Sequence, residues 1–246
     1  MKILSVSTAT SNLSVALNND QEIIVEKNEE DRRNHSEHLD PMINEILKEN
    51  NLSLKDIDRF AVAIGPGSYT GLRIGITTIK MFASILNKSV VGISTLEAMA
   101  KAINDDSKLI VSTIDARNDN YFAGGYVLKN NQLENIIPDG HYHIDKLLIQ
   151  IEEAIKNNDL SGVVFVGQGI EKQIDVIEKA NIKFEFAEGD QNKVHAGLIG
   201  QLAVNAEEVD PDALLPRYLR RTQAEVDWHK KTGKEFEPES NYVEEV

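Results

Sequence analysis

A glycine-rich loop, GPGSYTGLRIG, lies between an apolar strand-like run and a helix-like pattern. Backbone N–H groups at the start of a helix can hold an anion, so this setting allows phosphate binding. The spacing fits neither standard phosphate motif, because no lysine follows Gly71 and the glycines are one residue too widely spaced for a dinucleotide fingerprint. The loop alone therefore favours a structural turn with a helix cap. Its candidate site residues are Gly65, Pro66, Gly67, Ser68, Thr70, Gly71 and Arg73.

Other reactive groups are sparse. The chain has no cysteine and no G-x-S-x-G or H-E-x-x-H motif. His35 and His38 lie three residues apart, and His141 and His143 alternate, but neither pair has a third ligand at metal-binding spacing. A solvated helix end or loop explains them better than a metal does. We assign no catalytic residue and no metal ligand.

Composition limits the class of protein. The 246 residues carry 40 acidic and 26 basic side chains, a net charge of −14. Such a surface repels a phosphate backbone, which disfavours direct nucleic-acid binding by this chain alone. No apolar run approaches the roughly 20 residues that a membrane span needs, and the first ten residues lack the apolar core of a signal peptide. We expect a cytoplasmic protein with no membrane contact.

The order of predicted elements repeats. Each half shows strands in hairpin order, followed by a helix, a strand and a helix, which predicts a duplicated α/β fold of two similar lobes. The polar turn near residue 105 separates an N-terminal lobe, 1–105, from a C-terminal lobe, 106–222, whose last helices could pack back on the first. Residues 223–246 are charged and poor in aliphatic side chains, and they predict a partly ordered tail.

Two helices of the first lobe carry apolar seams. One lies in HSEHLDPMINEILKENN, with Ser36 or Asp40 as its N-cap, and the other runs from about Gly71 to Leu86. Each seam could pack on the lobe's own sheet or could meet a helix of another protein. We take the second interpretation as the interface prediction, which comprises Leu39, Ile43, Ile46, Leu47, Leu72, Ile76, Ile79, Ala83 and Leu86.

Together these motifs resemble the TsaB family, also called YeaZ, whose bacterial members are needed to make threonylcarbamoyladenosine in tRNA. Four features carry the resemblance: the start MKILSVSTATSNLSVAL, the segment HSEHLDPMINEIL, the loop GPGSYTGLRIG, and the pair STLEAMA and PRYLRR. They extend from the first residue to about Arg221. The resemblance implies the actin-like ATPase and sugar-kinase architecture, which agrees with the duplicated plan.

The resemblance also implies a role. This chain would be the non-catalytic paralogue of a TsaD-type transferase and would act as its scaffold or activator, pairing through helices of the N-terminal lobe. A TsaE-type ATPase would join the complex, tRNA would be met only through the complex, and a homodimer could form in isolation. ATP and a metal are expected in the partner complex and no cofactor in this chain, which is expected to have no activity alone.

Three positions support the non-catalytic interpretation. The metal histidines of the catalytic paralogue correspond here to Thr95 and Met99, and a Ser7-Thr8 pair replaces the Asp-Thr common at the end of the first strand. A hydroxyl and a thioether are poor ligands for a hard metal ion. Two alternatives remain, an ATP-binding or ATPase enzyme of the actin-like fold and, less favoured, a metalloprotease.

Overall fold

The computed structural model describes residues 1–30, 34–221, 227–228 and 231–233. Within these residues the strands are β1 (Lys2–Ser7), β2 (Asn12–Asn19), β3 (Glu22–Glu30), β4 (Arg59–Gly65), β5 (Ser89–Ser94), β6 (Leu109–Asp115), β7 (Asn120–Lys129), β8 (Gln132–His143), β9 (Val163–Gln168) and β10 (Phe184–Phe186). The α-helices are α1 (His35–Glu49), α2 (Tyr69–Leu86), α3 (Thr95–Ala100), α4 (Ile144–Asn157), α5 (Ile174–Lys179) and α6 (Ala196–Ala203).

The strands form two five-stranded sheets with the same topology. The first sheet has the order β3-β2-β1-β4-β5, and the second, taken in the same direction, has the order β8-β7-β6-β9-β10. In each sheet two antiparallel pairings are followed by two parallel ones. The duplicated α/β plan predicted from the sequence is therefore confirmed. Helix α3 packs against strands of both sheets and so lies between the lobes.

Alternation along β2 explains how the first sheet is covered on both faces. Successive side chains of a strand point to opposite faces, so Asn12, Ser14 and Asn18 share one face and the leucine and valine positions between them share the other. The Nδ2 atoms of Asn12 and Asn18 donate to the carbonyl oxygens of Val194 and Gly197, and the Ser14 hydroxyl accepts from the Ala196 N–H. The polar face of β2 therefore binds α6 and the residues before it.

A buried arginine fixes the far end of α6. Arg59, at the start of β4, is 8% exposed, and its Nη1 atom donates to the carbonyl oxygen of Ala203 at 2.6 Å and to that of Val204 at 3.3 Å. Its Nη2 atom pairs with the carboxylate of Glu208. The last carbonyl groups of a helix have no partner within the helix, so a cation placed there satisfies them and complements the helix dipole.

Helix α1 begins earlier than the sequence predicted. Asn34, rather than Ser36 or Asp40, is the N-cap residue, and Pro41 lies inside the helix. The reason is the anchoring of the first turn, because His35 is 7% exposed and its Nε2 atom lies 2.8 Å from the carbonyl oxygen of Thr10. Most of the tail predicted from residue 223 lies outside the described residues. Among the described helices, none is long and apolar enough to cross a membrane.

A histidine network joins the segment before α6 to the first lobe. The Nδ1 atom of His195 lies 3.2 Å from the Glu26 carboxylate, and its Nε2 atom lies 2.9 Å from the carbonyl oxygen of Asp190. The hydrogen bond to Glu26 raises the pKa of His195, against the opposing effect of burial. Burial raises the pKa of Glu26, but hydrogen bonds from His195 and Ser14 outweigh burial and leave the pKa below its usual value. Lys193 adds ion pairs to Glu30 and Asp190 nearby.

This network predicts a stability that falls as the pH rises. Because the pKa of His195 is raised in the folded state, its contribution is complete below its ordinary pKa of 6.5 and is lost as the pH rises through the raised value. The loss should be about 1 kcal/mol, the usual net contribution of a single hydrogen bond. Urea unfolding of the wild type and of His195→Gln from pH 6 to 9 measures it. Equal pH slopes for the two proteins would contradict the assignment.

Candidate partner-contact face and inter-lobe cleft

The glycine-rich loop packs directly on the turn between β1 and β2. A side chain at Gly67 or Gly71 would collide with the carbonyl oxygen of Ala9 or Thr8, respectively, and the Thr8 hydroxyl donates to the Gly71 carbonyl oxygen at 2.6 Å. These glycines are needed because two backbone segments approach closely. The loop therefore joins the first strand to the helix that follows it.

Ser68 is the N-cap of α2. Its side-chain oxygen accepts from the Gly71 N–H at 3.2 Å, and the helix begins at Tyr69, two residues before the predicted start. Thr70 consequently lies inside the first turn. This cap satisfies one of the unpaired N–H groups at the helix start and fixes the direction of the helix.

A cleft of about 530 Å³ lies between the lobes, next to this loop. Its first-lobe wall includes Ser68 and Thr70, and its second-lobe wall includes Asp115, Gln168 and Lys193. The Lys193 ammonium is paired with Glu30 and Asp190, and these hydrogen bonds raise its pKa. A hydrogen bond from the Arg117 N–H and a second from Lys172 lower the pKa of Asp115, although partial burial opposes them. Both charged groups of this wall are thus already engaged by the protein itself.

The positions that the family resemblance matches to the catalytic paralogue's metal site are buried. Thr95 is fully buried and Met99 is 2% exposed, and Ser7 at the end of β1 is fully buried. Glu97, which lies between Thr95 and Met99 in the sequence, is half-buried. Burial and the nearby Asp139 carboxylate raise its pKa. Within the described ranges, no three histidine, aspartate or glutamate side chains come together as a possible metal-ligand group.

The four histidines considered from the sequence hold structural positions. His35 binds the Thr10 carbonyl, and the Nδ1 atom of His38 lies 2.5 Å from the Glu29 carboxylate. The His141 ring packs against Phe122 with centroids 5.4 Å apart, and burial followed by the Arg220 charge lowers its pKa. His143 is the N-cap of α4. Each ring therefore has a packing or capping role.

All but one of the side chains of the predicted interface seam lie in the core of the first lobe. Both helices turn their seams toward the first sheet, where contact with β2 and β4 removes these side chains from solvent. Leu86 is the exception and is half-buried. The exposed fractions of the others are Leu39 1%, Ile43 2%, Ile46 0%, Leu47 4%, Leu72 0%, Ile76 3%, Ile79 0% and Ala83 0%.

The exposed side of α2 presents a different set of residues. Tyr69, Arg73, Thr77, Met81 and Ile85 follow one another at intervals of four and form a ridge along the helix, here called the α2 ridge. Tyr69 is 43% exposed, Met81 45% and Ile85 75%. A groove of about 530 Å³ between α1 and α2 runs beside the first half of the ridge. The sequence shows that Met81 and Ile85 extend the apolar surface of this helix beyond the buried seam.

The first turn of the α2 ridge is held by a residue from the far end of the chain. The rings of Tyr69 and Tyr218 stack with centroids 4.8 Å apart and planes 20° apart. The Arg73 guanidinium lies 4.2 Å from the centroid of the Tyr69 ring, and its Nε atom donates to the Tyr218 hydroxyl at 3.1 Å. Stacked aromatic rings with an adjacent cation form a rigid surface that is suited to protein contact. No local sequence signal links Tyr69 to Tyr218.

The duplicated sheets, the helix between them and the inter-lobe cleft define a two-lobed α/β protein in which each lobe is built on the same five-stranded sheet topology. Residues 22–228 match the family described as "TsaD: tRNA N6-adenosine threonylcarbamoyltransferase". The chain is 31% identical to the tRNA threonylcarbamoyladenosine biosynthesis protein TsaB of Bacillus subtilis over 93% of this chain and 98% of that protein. It is 29% identical to the Escherichia coli protein of the same name, over 96% and 100% of the two chains.

A solved structure shows the same fold. YeaZ from Pseudomonas aeruginosa superposes with a TM-score of 0.74 at 23% identity, covering 89% of this chain and 99% of that one. The chain therefore belongs to the TsaB (YeaZ) group within the TsaD family. The resemblance inferred from the sequence motifs is confirmed.

Proposed function

We propose that this chain is the non-catalytic subunit that supports threonylcarbamoylation of the tRNA adenosine next to the anticodon. The observation that carries the proposal is the 31% identity to a TsaB protein over nearly the full length of both chains. The buried Thr95 and Met99, at the positions of the metal histidines in the catalytic paralogue, support a role without chemistry of its own. The acidic chain, with a net charge of −14, supports contact with tRNA only through the complex.

The partner we propose is a TsaD-type catalytic paralogue, bound through the exposed α2 ridge rather than through the buried seam. The ridge combines a rigid aromatic and arginine cluster at one end with two exposed aliphatic side chains at the other, Met81 and Ile85. Aromatic residues, methionine and arginine are enriched in the energetically dominant parts of protein interfaces. The same ridge could join two copies of this chain when the partner is absent.

The remaining components follow from the same proposal. A TsaE-type ATPase completes the complex, ATP and a metal ion act in the partner complex, and the place of action is the cytoplasm. The domain division we propose is a first lobe of residues 1–105, to which α6 returns, and a second lobe of residues 106–222, with residues 223–246 as a tail.

Depletion of the protein in its own host tests the function. Mass spectrometry of nucleosides from bulk tRNA should show a clear fall in threonylcarbamoyladenosine, and re-expression of the wild-type chain should restore it. A second modified nucleoside made by an unrelated enzyme serves as the internal control and should stay constant. Unchanged threonylcarbamoyladenosine after verified depletion would refute the proposal.

A further inference from the structure

The segment 216–220 contacts both lobes and the α2 ridge within five residues. Its backbone is fixed to the first sheet, because the Arg217 N–H donates to the Ile64 carbonyl oxygen at 2.7 Å. Gly65 makes this approach possible, since any side chain there would collide with the Arg217 carbonyl oxygen. The backbone of the segment thus packs closely against the end of β4.

Its first side-chain anchor lies in the second lobe. The Nη1 atom of Arg217 donates at 3.0 Å to the carboxylate of Asp139 in β8, which is 5% exposed. Asp139 also accepts from the Ser94 hydroxyl at 2.5 Å and from the Tyr126 hydroxyl. A buried carboxylate with three donors is strongly fixed, and removing its charge leaves the arginine without its buried counterion.

Tyr218 contacts the α2 ridge, whereas Arg220 contacts the second lobe. Tyr218 stacks on Tyr69 and accepts from Arg73 at the start of the α2 ridge. Arg220 then returns to the second lobe, where its Nη1 atom donates to the Ala116 carbonyl oxygen at 3.0 Å. Tyr218 is therefore held on both sides by residues that are anchored in the second lobe.

We propose that segment 216–220 is a mechanical link that lets the second lobe set the conformation of the partner-contact ridge, with Tyr218 as its positioning residue. The inference rests on the proposed function, in which the α2 ridge binds the partner. Asp139 lies in the second lobe and binds Arg217, one residue before Tyr218. Breaking the link there should loosen Tyr69 and Arg73, and partner binding should in turn restrain the second lobe, because such coupling is reciprocal.

The first test needs no partner. Hydrogen exchange of the free protein is compared for the wild type, Asp139→Asn and Arg220→Gln, and peptides covering residues 68–76 are monitored. Both variants should exchange faster in these peptides, since the first turn of α2 loses its support. Lys129→Ala, which removes an exposed ion pair with Glu134 in the second lobe, is the matched control and should leave the peptides unchanged. Wild-type exchange in both link variants, with native folding verified, would overturn the inference.

The second test measures affinity for the purified TsaD-type partner by calorimetry. Asp139→Asn should weaken binding about fivefold, the lower end of the usual range for coupled sites. Tyr218→Phe, which removes the acceptor for Arg73 but keeps the ring, should weaken it as well, and the double variant should lose less than the sum of the two free energies. Additive losses, or a wild-type affinity for Asp139→Asn, would overturn the link.

The two tests separate the link from the function on which it rests. If the wild type does not bind the partner, the proposed function fails, while the exchange experiment on the free protein still decides whether the second lobe supports α2. If the wild type binds and Asp139→Asn behaves like it, only the link fails.

Discussion

Aspartate at both Met81 and Ile85 is expected to abolish the complex with the TsaD-type partner while leaving the chain folded. Met81 is 45% exposed and Ile85 is 75% exposed, so neither change disturbs the core. In the complex, however, two carboxylates would replace apolar contacts and would be removed from water without a counterion. We expect affinity to fall at least about 100-fold, the scale of losing central interface residues. Size-exclusion chromatography and calorimetry with the purified partner measure it.

The chain offers a matched control on another surface. Ile149 of α4 in the second lobe is 56% exposed, and Ile149→Asp makes the same chemical change outside the α2 ridge. This variant should bind the partner as the wild type does. If the Met81→Asp, Ile85→Asp protein keeps its melting temperature and still forms the complex, the ridge is not the contact surface.

Ile79→Asp is expected to unfold the protein. Ile79 lies on the buried face of α2 and is fully buried. An ionised carboxylate at this position has neither water nor a charged partner. A cost above about 4 kcal/mol is expected, which is a large part of the stability of a typical domain. Circular dichroism and thermal unfolding report it directly. Ile79→Val, which removes one methyl group, should cost only about 1 kcal/mol and remain folded.

The predictions for Ile79 and for Met81 with Ile85 distinguish the effects of changing the buried face and the exposed face of α2. If the Ile79→Asp protein folds but no longer binds the partner, the buried seam is part of the interface. An unfolded one confirms that loss of the complex in this variant reports a loss of structure. Co-purification alone cannot distinguish these results, so every variant needs its melting temperature measured beside its affinity.

The seam shows where inference from sequence reaches its limit. The three- and four-residue spacing of Leu72, Ile76, Ile79 and Ala83 indicates which side chains share a helix face. It cannot indicate what covers that face, because the lobe's own sheet and a partner helix both require an apolar stripe. In the structure, the α2 seam contacts β4. The repeated order of strands and helices, in contrast, was readable because each element has its own period and its own turn signals.

Contacts between distant residues were beyond reach for a different reason. Arg59 and Glu208, or Arg73 and Tyr218, are joined only when the chain returns to the first lobe. No local periodicity encodes such a meeting. The motif PRYLRR is one of the features that carry the family resemblance, but its role as a link between lobes required the positions of Asp139, Tyr69 and Ala116.

The return of α6 also reverses the order in which the molecule can be completed during synthesis. All strands of the second sheet, through Phe186, are synthesised before Ala196–Ala203 of α6. Until then one face of the first sheet, including the buried Asn12 and Asn18, has no cover. Domains usually mature from the N-terminus onward as they emerge. Here the lobe that is translated first is finished last, and a chain truncated near residue 105 ends with a sheet that is exposed on one side.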